Sequence, residues 1–211
     1  MNRKISTLLT AGLLVAGSLC GSAFAQNSIR GLLGLGSAVT ELKSGAYVMT
    51  DANGLAYGFT SVSEDGVLRE GTLDYNATSI TDDEKDNVKQ YIWKVTVTEN
   101  LGAYSYKFEN VATGKTLRVN TTAKAVELNS MASENVIKDV FAFGTTQIGS
   151  TGKYTANEKA LFAYNGNKSD VFQLTWSAGS SSISTTASSF DLSFYAVESE
   201  KLGAVGADDL N

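Results

Sequence analysis

Tyr104-Ser105-Tyr106-Lys107-Phe108-Glu109-Asn110-Val111-Ala112-Thr113-Gly114-Lys115-Thr116-Leu117-Arg118-Val119 is the stretch on which the fold turns. Tyr104, Tyr106 and Phe108 alternate with Ser105, Lys107 and Glu109, so a strand here puts its rings on one face and its polar groups on the other. Asn110 to Gly114 is turn chemistry, because Asn and Thr side chains bond to nearby backbone and Gly tolerates positive φ. Thr116-Leu117-Arg118-Val119 then reads as the returning strand. The stretch is a β-hairpin.

The same grammar runs outward in both directions. Upstream, Trp93-Lys94-Val95-Thr96-Val97 alternates strictly, and Gly45 to Thr50, Leu55 to Val62 and Val67 to Leu73 are short strand candidates. They are separated by Asp51-Ala52-Asn53-Gly54 and Ser63-Glu64-Asp65-Gly66, both of which suit tight turns. Further candidates are Gln90 to Glu99, Lys115 to Asn120, Ala125 to Leu128, Val140 to Gln147, Gly152 to Ala156, Leu161 to Tyr164, Val171 to Trp176, Ser182 to Thr186 and Phe190 to Val197. Helix is expected only at Thr81 to Lys89, with an N-cap candidate and early acids, and at Ser133 to Lys138. The chain has no proline, so its turns rest on Gly, Asn, Asp and Ser.

Internal repetition narrows the all-β class. Tyr47 to Leu55 has a partner 59 residues on, in Tyr106 to Leu117, and a degenerate third copy 48 residues later, at Tyr154 to Leu161. Each is an aromatic strand, a polar turn and a return strand. About twelve short strands in three such repeats fit a β-trefoil-like domain over residues 44–200. The competing reading is that hairpins look alike because turn chemistry is limited.

The run Tyr-x-Phe-x-Asn-x-x-Thr-Gly-Lys-x-Leu-x-Val at Tyr106 to Val119 resembles the repeat unit of ricin-B-type β-trefoil lectins. Gln90-Tyr91-Ile92-Trp93 and Gln173-Leu174-Thr175-Trp176 are similar to that family's Gln-x-Trp signature, with one extra residue in the spacing. The layout also looks like trefoil-like modules in large secreted proteins of gut bacteria. The close match covers about 14 of 211 residues, and Arg118 stands where lectin repeats often carry an acid. What the resemblance implies is a carbohydrate-binding, lectin-like module.

The amino terminus bears on compartment. Asn2-Arg3-Lys4, the apolar run Leu8 to Leu19 and Ser22-Ala23-Phe24-Ala25 read as a signal peptide over residues 1–25, with residues 26–43 as a lead-in segment or a short helix. The expected location is secreted, periplasmic or at the cell surface. Cys20, the only cysteine, lies within that signal, so the remainder would have no disulfide and no thiol nucleophile. Residues 201–211 read as a flexible tail.

Composition removes several functions. With no histidine, the commonest general base and the usual zinc ligand are missing, which rules out a Ser-His-Asp triad. Without Arg3 and Lys4 the chain has 15 basic and 22 acidic residues, about −7. Such a balance disfavours nucleic acid and anionic membrane surfaces. After signal cleavage no apolar run approaches the roughly 20 residues of a membrane span.

Individual motifs have plain explanations. Ala112-Thr113-Gly114-Lys115-Thr116 looks like the end of a phosphate loop, but Glu109 stands where the first glycine belongs and a strand follows. Asp82, Asp83, Glu84 and Asp86 miss the spacing of a calcium loop and read as solvated charge. Ser177 to Ser189, nearly all small and polar, reads as an edge hairpin. Trp93, alternating with Val95 and Val97, reads as core. Tyr164, Asn165, Asn167 and Asp170, with Trp176 as a stacking face, form the densest grouping of aromatic, amide and carboxylate chemistry, the set that grips vicinal hydroxyls. A tight polar turn is the alternative for the same residues. The expectation is a non-enzymatic binding module without metal or cofactor, its partner a surface glycan. The runner-up is an envelope component that recognises another protein.

Overall fold

The computed structural model describes residues 28–52, 54–58, 69–74, 77–120, 125–129, 137–144, 151–163, 172–177, 180–184 and 191–204. The expected signal peptide falls outside them. Antiparallel strands dominate, in agreement with the all-β reading. In chain order they are β1 (Gly45–Thr50), β2 (Leu55–Gly58), β3 (Arg69–Asp74), β4 (Ile92–Asn100), β5 (Ala103–Asn110), β6 (Thr116–Asn120) and β7 (Ala125–Asn129). There follow β8 (Ile137–Lys138), β9 (Phe141–Gly144), β10 (Ala160–Ala163), β11 (Phe172–Ser177), β12 (Ser180–Ser184) and β13 (Ser193–Ala196). Three short helices, α1 (Ile29–Leu33), α2 (Asp82–Asp86) and α3 (Ser199–Ala204), complete the described structure with one 3-10 turn at Val88–Tyr91.

Six strands follow one another edge to edge: β13, β1, β4, β5, β9 and β10. A hydrogen bond from Leu192 N to Lys159 O, 3.2 Å, ties the residue before β13 to the residue before β10, so the row curls back on itself. Three hairpins, β2–β3, β6–β7 and β11–β12, hang from this row, and β12 touches both β7 and β3.

Inside the curl lies an aromatic core. Tyr47, Met49, Trp93, Val95, Tyr106, Phe108, Phe141, Phe143, Tyr154 and Phe194 are all buried there, each strand giving alternate residues to this face. The rings pack edge to face: Tyr106 on Phe143 at 4.9 Å, Phe143 on Tyr154 at 5.0 Å and Tyr154 on Phe194 at 5.2 Å between centroids. Buried phenols need partners, and the two fully buried ones, Tyr106 and Tyr154, find them. Tyr106 Oη accepts from Tyr154 N at 3.0 Å, and Tyr154 Oη donates to Leu192 O at 3.3 Å. Trp93 is fully buried, as its alternation implies.

A second apolar cluster covers the other face of β1. Val48 meets Ile29, Leu33, Leu35, Val88, Tyr91, Ile92 and Val197 there. The expected lead-in segment is therefore partly core: α1 starts with Ser28 Oγ accepting from Gly31 N, and ends at Gly34 with φ 64°. Gly34 is required twice over, since a Cβ there would also sit 2.5 Å from the Glu198 carboxyl. At the other end α3 runs through Ala204 and Leu202 packs against the same cluster, while residues 205–211 of the expected tail lie outside the described residues.

Local readings fare unevenly. Thr81 caps α2 in a reciprocal capping box with Glu84, so the acids of this segment serve a helix start. The helix expected at Ser133 to Lys138 is corrected at its end, where Ile137 and Lys138 pair with Asn120 and Val119 (residues 133–136 lie outside the described set). Gly152 to Ala156 is no strand either. Thr155 Oγ1 accepts from Asn157 N and Glu158 N, and this local bonding tightens a turn that competes with ladder formation.

Candidate functional site

Strands β1, β5 and β10 are each followed in the chain by the first strand of a hairpin. Only the turn after β5 is described throughout. There Asn110, with no exposed surface, bonds in two directions. Its Nδ2 donates to Gln90 O at 2.8 Å, while its Oδ1 accepts from Thr113 N at 3.2 Å and Thr113 Oγ1 at 3.3 Å. The backbone closes around it through Gly114 N to Asn110 O and Asn110 N to Lys115 O, both 2.8 Å, with Gly114 at φ 64°. Two motifs far apart in sequence thus meet: the Gln90 carbonyl holds the turn, and Trp93 stands opposite Asn110 in the ladder.

The phosphate-loop likeness ends here, because a strand, β6, and no helix N-terminus follows Lys115. Asn110 is spent on internal bonds. Arg118 is also buried, on β6 opposite Glu127. In the turn after β1, Asp51 takes the place that Asn110 has after β5. It is nearly buried, and Gly54 N donates to its carbonyl at 3.2 Å.

The expected sugar site falls mostly in the segment between β10 and β11. Tyr164, Asn165, Asn167 and Asp170 lie outside the described residues. The strands that flank them are described: Ala163 stands opposite Phe172, and Phe162 opposite Gln173. Trp176 is on β11 opposite Ser181, two residues beyond the buried Leu174. The structure therefore places Trp176 on the β11–β12 hairpin, three residues after Gln173, the last position of β11 paired with β10.

Two features at the opposite end of β4 and β5 were not singled out from sequence. Lys153 Nζ lies 2.6 Å from Glu41 Oε1 and 5.0 Å from the centre of the Tyr104 ring, so one ammonium serves an ion pair and a cation–π contact. The bond from Lys153 holds the Glu41 carboxyl below its ordinary range, and the same bond raises the Lys153 ammonium. This cluster closes the end of the aromatic core, where Val39, Val97 and Tyr104 pack partly buried against it. The second feature is Leu101, at the tip of the β4–β5 hairpin. Its sequence signal was the tripeptide Asn100-Leu101-Gly102 between two alternating strands, with Leu where a turn favours Asn or Gly.

Among the described residues, no group of three or more His, Cys, Asp or Glu side chains is arranged to hold a metal ion. No described helix is long and apolar enough to cross a membrane. No family model matches the chain, and no curated protein matches it either.

Proposed function

We propose that the chain is a secreted, non-enzymatic binding module of β-trefoil type, with a surface glycan as its ligand. The observation that carries this reading is that three strands of the curled row, β1, β5 and β10, are each followed by a hairpin, β2–β3, β6–β7 and β11–β12, with a polar turn between β5 and β6. A rigid core with hairpins at its rim is a scaffold on which binding resides in loops. The likeness of Tyr106 to Val119 to ricin-B-type repeats supports glycan as the ligand class. Internal use of Asn110 favours the segment between β10 and β11 over the turn after β5.

In this reading Tyr164 and Trp176 supply the apolar faces, and Asn165, Asn167 and Asp170 the hydrogen bonds to vicinal hydroxyls. Glycan-array screening of the signal-free protein tests it together with Asp170→Ala. Saccharide binding should be lost in the variant while the melting temperature stays within about 2 °C, as for a surface turn carboxylate. Unfolding of the variant would make Asp170 a structural turn residue, and an array without hits would remove the glycan reading. Recognition of an envelope protein is the second reading, and Leu101 is the observation that favours it.

A further inference from the structure

The β4–β5 hairpin ends in a two-residue turn. Asn100 pairs with Ala103, which leaves Leu101 and Gly102 at the apex with φ of 50° and 78°. Both values are positive, the signature of the turn that matches strand twist and selects Asn-Gly or Gly-Gly. Among the described residues Leu101 is the only non-glycine at positive φ, and the only large hydrophobic side chain that stands fully exposed. Neither property helps the fold. A left-handed conformation is strained for Leu, and the side chain meets water on all sides.

The hairpin presents this leucine rigidly. All eight pairs from Trp93–Asn110 to Asn100–Ala103 are in register, with Val97 N further tied to Ser44 Oγ at 2.9 Å. β1 ends its pairing at Gly45–Val95, so Thr98 to Asn100 project past the row with no described strand on that edge. Beside the apex stands Glu99, exposed and without an ion pair among the described residues.

We propose that this tip is a docking knob: Leu101 enters an apolar pocket, one side chain wide, on a partner protein whose pocket rim is basic. The knob is convex, so its complement is a pocket. Glu99 and the chain's net charge of −5 set the sign of the rim and oppose an anionic lipid surface. One leucine is also far less apolar area than membrane anchorage demands. This inference is independent of the glycan reading, since the tip lies at the other end of β5 from the Asn110 turn.

The test places a photo-crosslinking amino acid at position 101 of the full chain in its native host, with position 94 on the outer face of β4 as control. The protein joined at 101 is then purified and its affinity measured for wild type and Leu101→Asn. The expected result is one dominant protein adduct at 101 and none at 94. Leu101→Asn should weaken binding about ten- to hundredfold, the equivalent of burying one leucine. Its melting temperature should be unchanged or about 2–4 °C higher, as the turn strain is relieved. A lipid adduct, a self-adduct, no adduct, or an adduct whose affinity ignores Leu101→Asn would overturn the proposal. So would a lower melting temperature for Leu101→Asn, which would make the leucine structural.

Discussion

Replacing Asn110 tests the central structural argument, that the middle turn is built from within. Asn110→Ala removes the donor to Gln90 O at 2.8 Å and the acceptor for Thr113 N at 3.2 Å, plus a weaker contact to Thr113 Oγ1 at 3.3 Å. Each neutral hydrogen bond contributes about 1 kcal/mol net, and a buried group left unpaired costs about 1–3 kcal/mol. The sum is about 2–4 kcal/mol, or a melting temperature lower by roughly 5–12 °C for a domain of this size. Asn110→Asp has the same shape and keeps the acceptor toward Thr113, but it turns an oxygen toward the Gln90 carbonyl. Burial and that carbonyl would raise the introduced carboxyl above its unfolded value of about 3.9. A raised carboxyl destabilises the fold at neutral pH, because the unfolded chain ionises more readily. The penalty shrinks as pH falls toward 4, where the protonated form restores a donor. Urea unfolding of both variants at pH 7 and pH 4.5 measures this. The reasoning fails if Asn110→Ala lies within about 0.5 kcal/mol of wild type, or if the Asn110→Asp penalty is the same at both pH values.

Two further predictions concern the aromatic core. Phe194 stacks on Phe108 at 6.0 Å and meets Tyr47, Phe143 and Tyr154 edge-on, so Phe194→Ala should cost about 3–5 kcal/mol by denaturant titration. A cost below 1 kcal/mol would mean that the core closes without it. Burial pushes the Tyr154 phenol up to about 12. The folded chain thus keeps its proton where the unfolded chain, at about 10, loses it. Stability from this group is whole below pH 10 and falls between pH 10 and 12, by about 2–3 kcal/mol at most. Tyr154→Phe, monitored by alkaline unfolding with phenolate absorbance, should lose this part of the pH dependence and give up about 1 kcal/mol at pH 7 for the bond to Leu192 O.

By itself the sequence determined the inner faces of the strands whose residues alternate. Alternation is a property of consecutive residues, so Trp93-Lys94-Val95 and Tyr106-Lys107-Phe108 declare their buried sides without knowledge of any partner. Local capping is equally legible, and Thr81 with Glu84 announces α2. Tertiary structure decided what depends on distant neighbours. Ile29 and Leu33 look like part of a lead-in until β1 offers the reverse face of Val48 as a surface to cover. Tyr154 reads as a strand residue, yet it fills the core from a turn, because Thr155 bonds locally while the Tyr106 hydroxyl holds the Tyr154 amide. Asn110 reads as a turn residue that bonds to nearby backbone. Only the arrival of the Gln90 carbonyl, 20 residues away in sequence, buries it and commits its amide to the fold. Leu101 is the converse case. Its hydrophobicity suggests burial, but a two-residue turn at the end of a hairpin leaves it fully exposed.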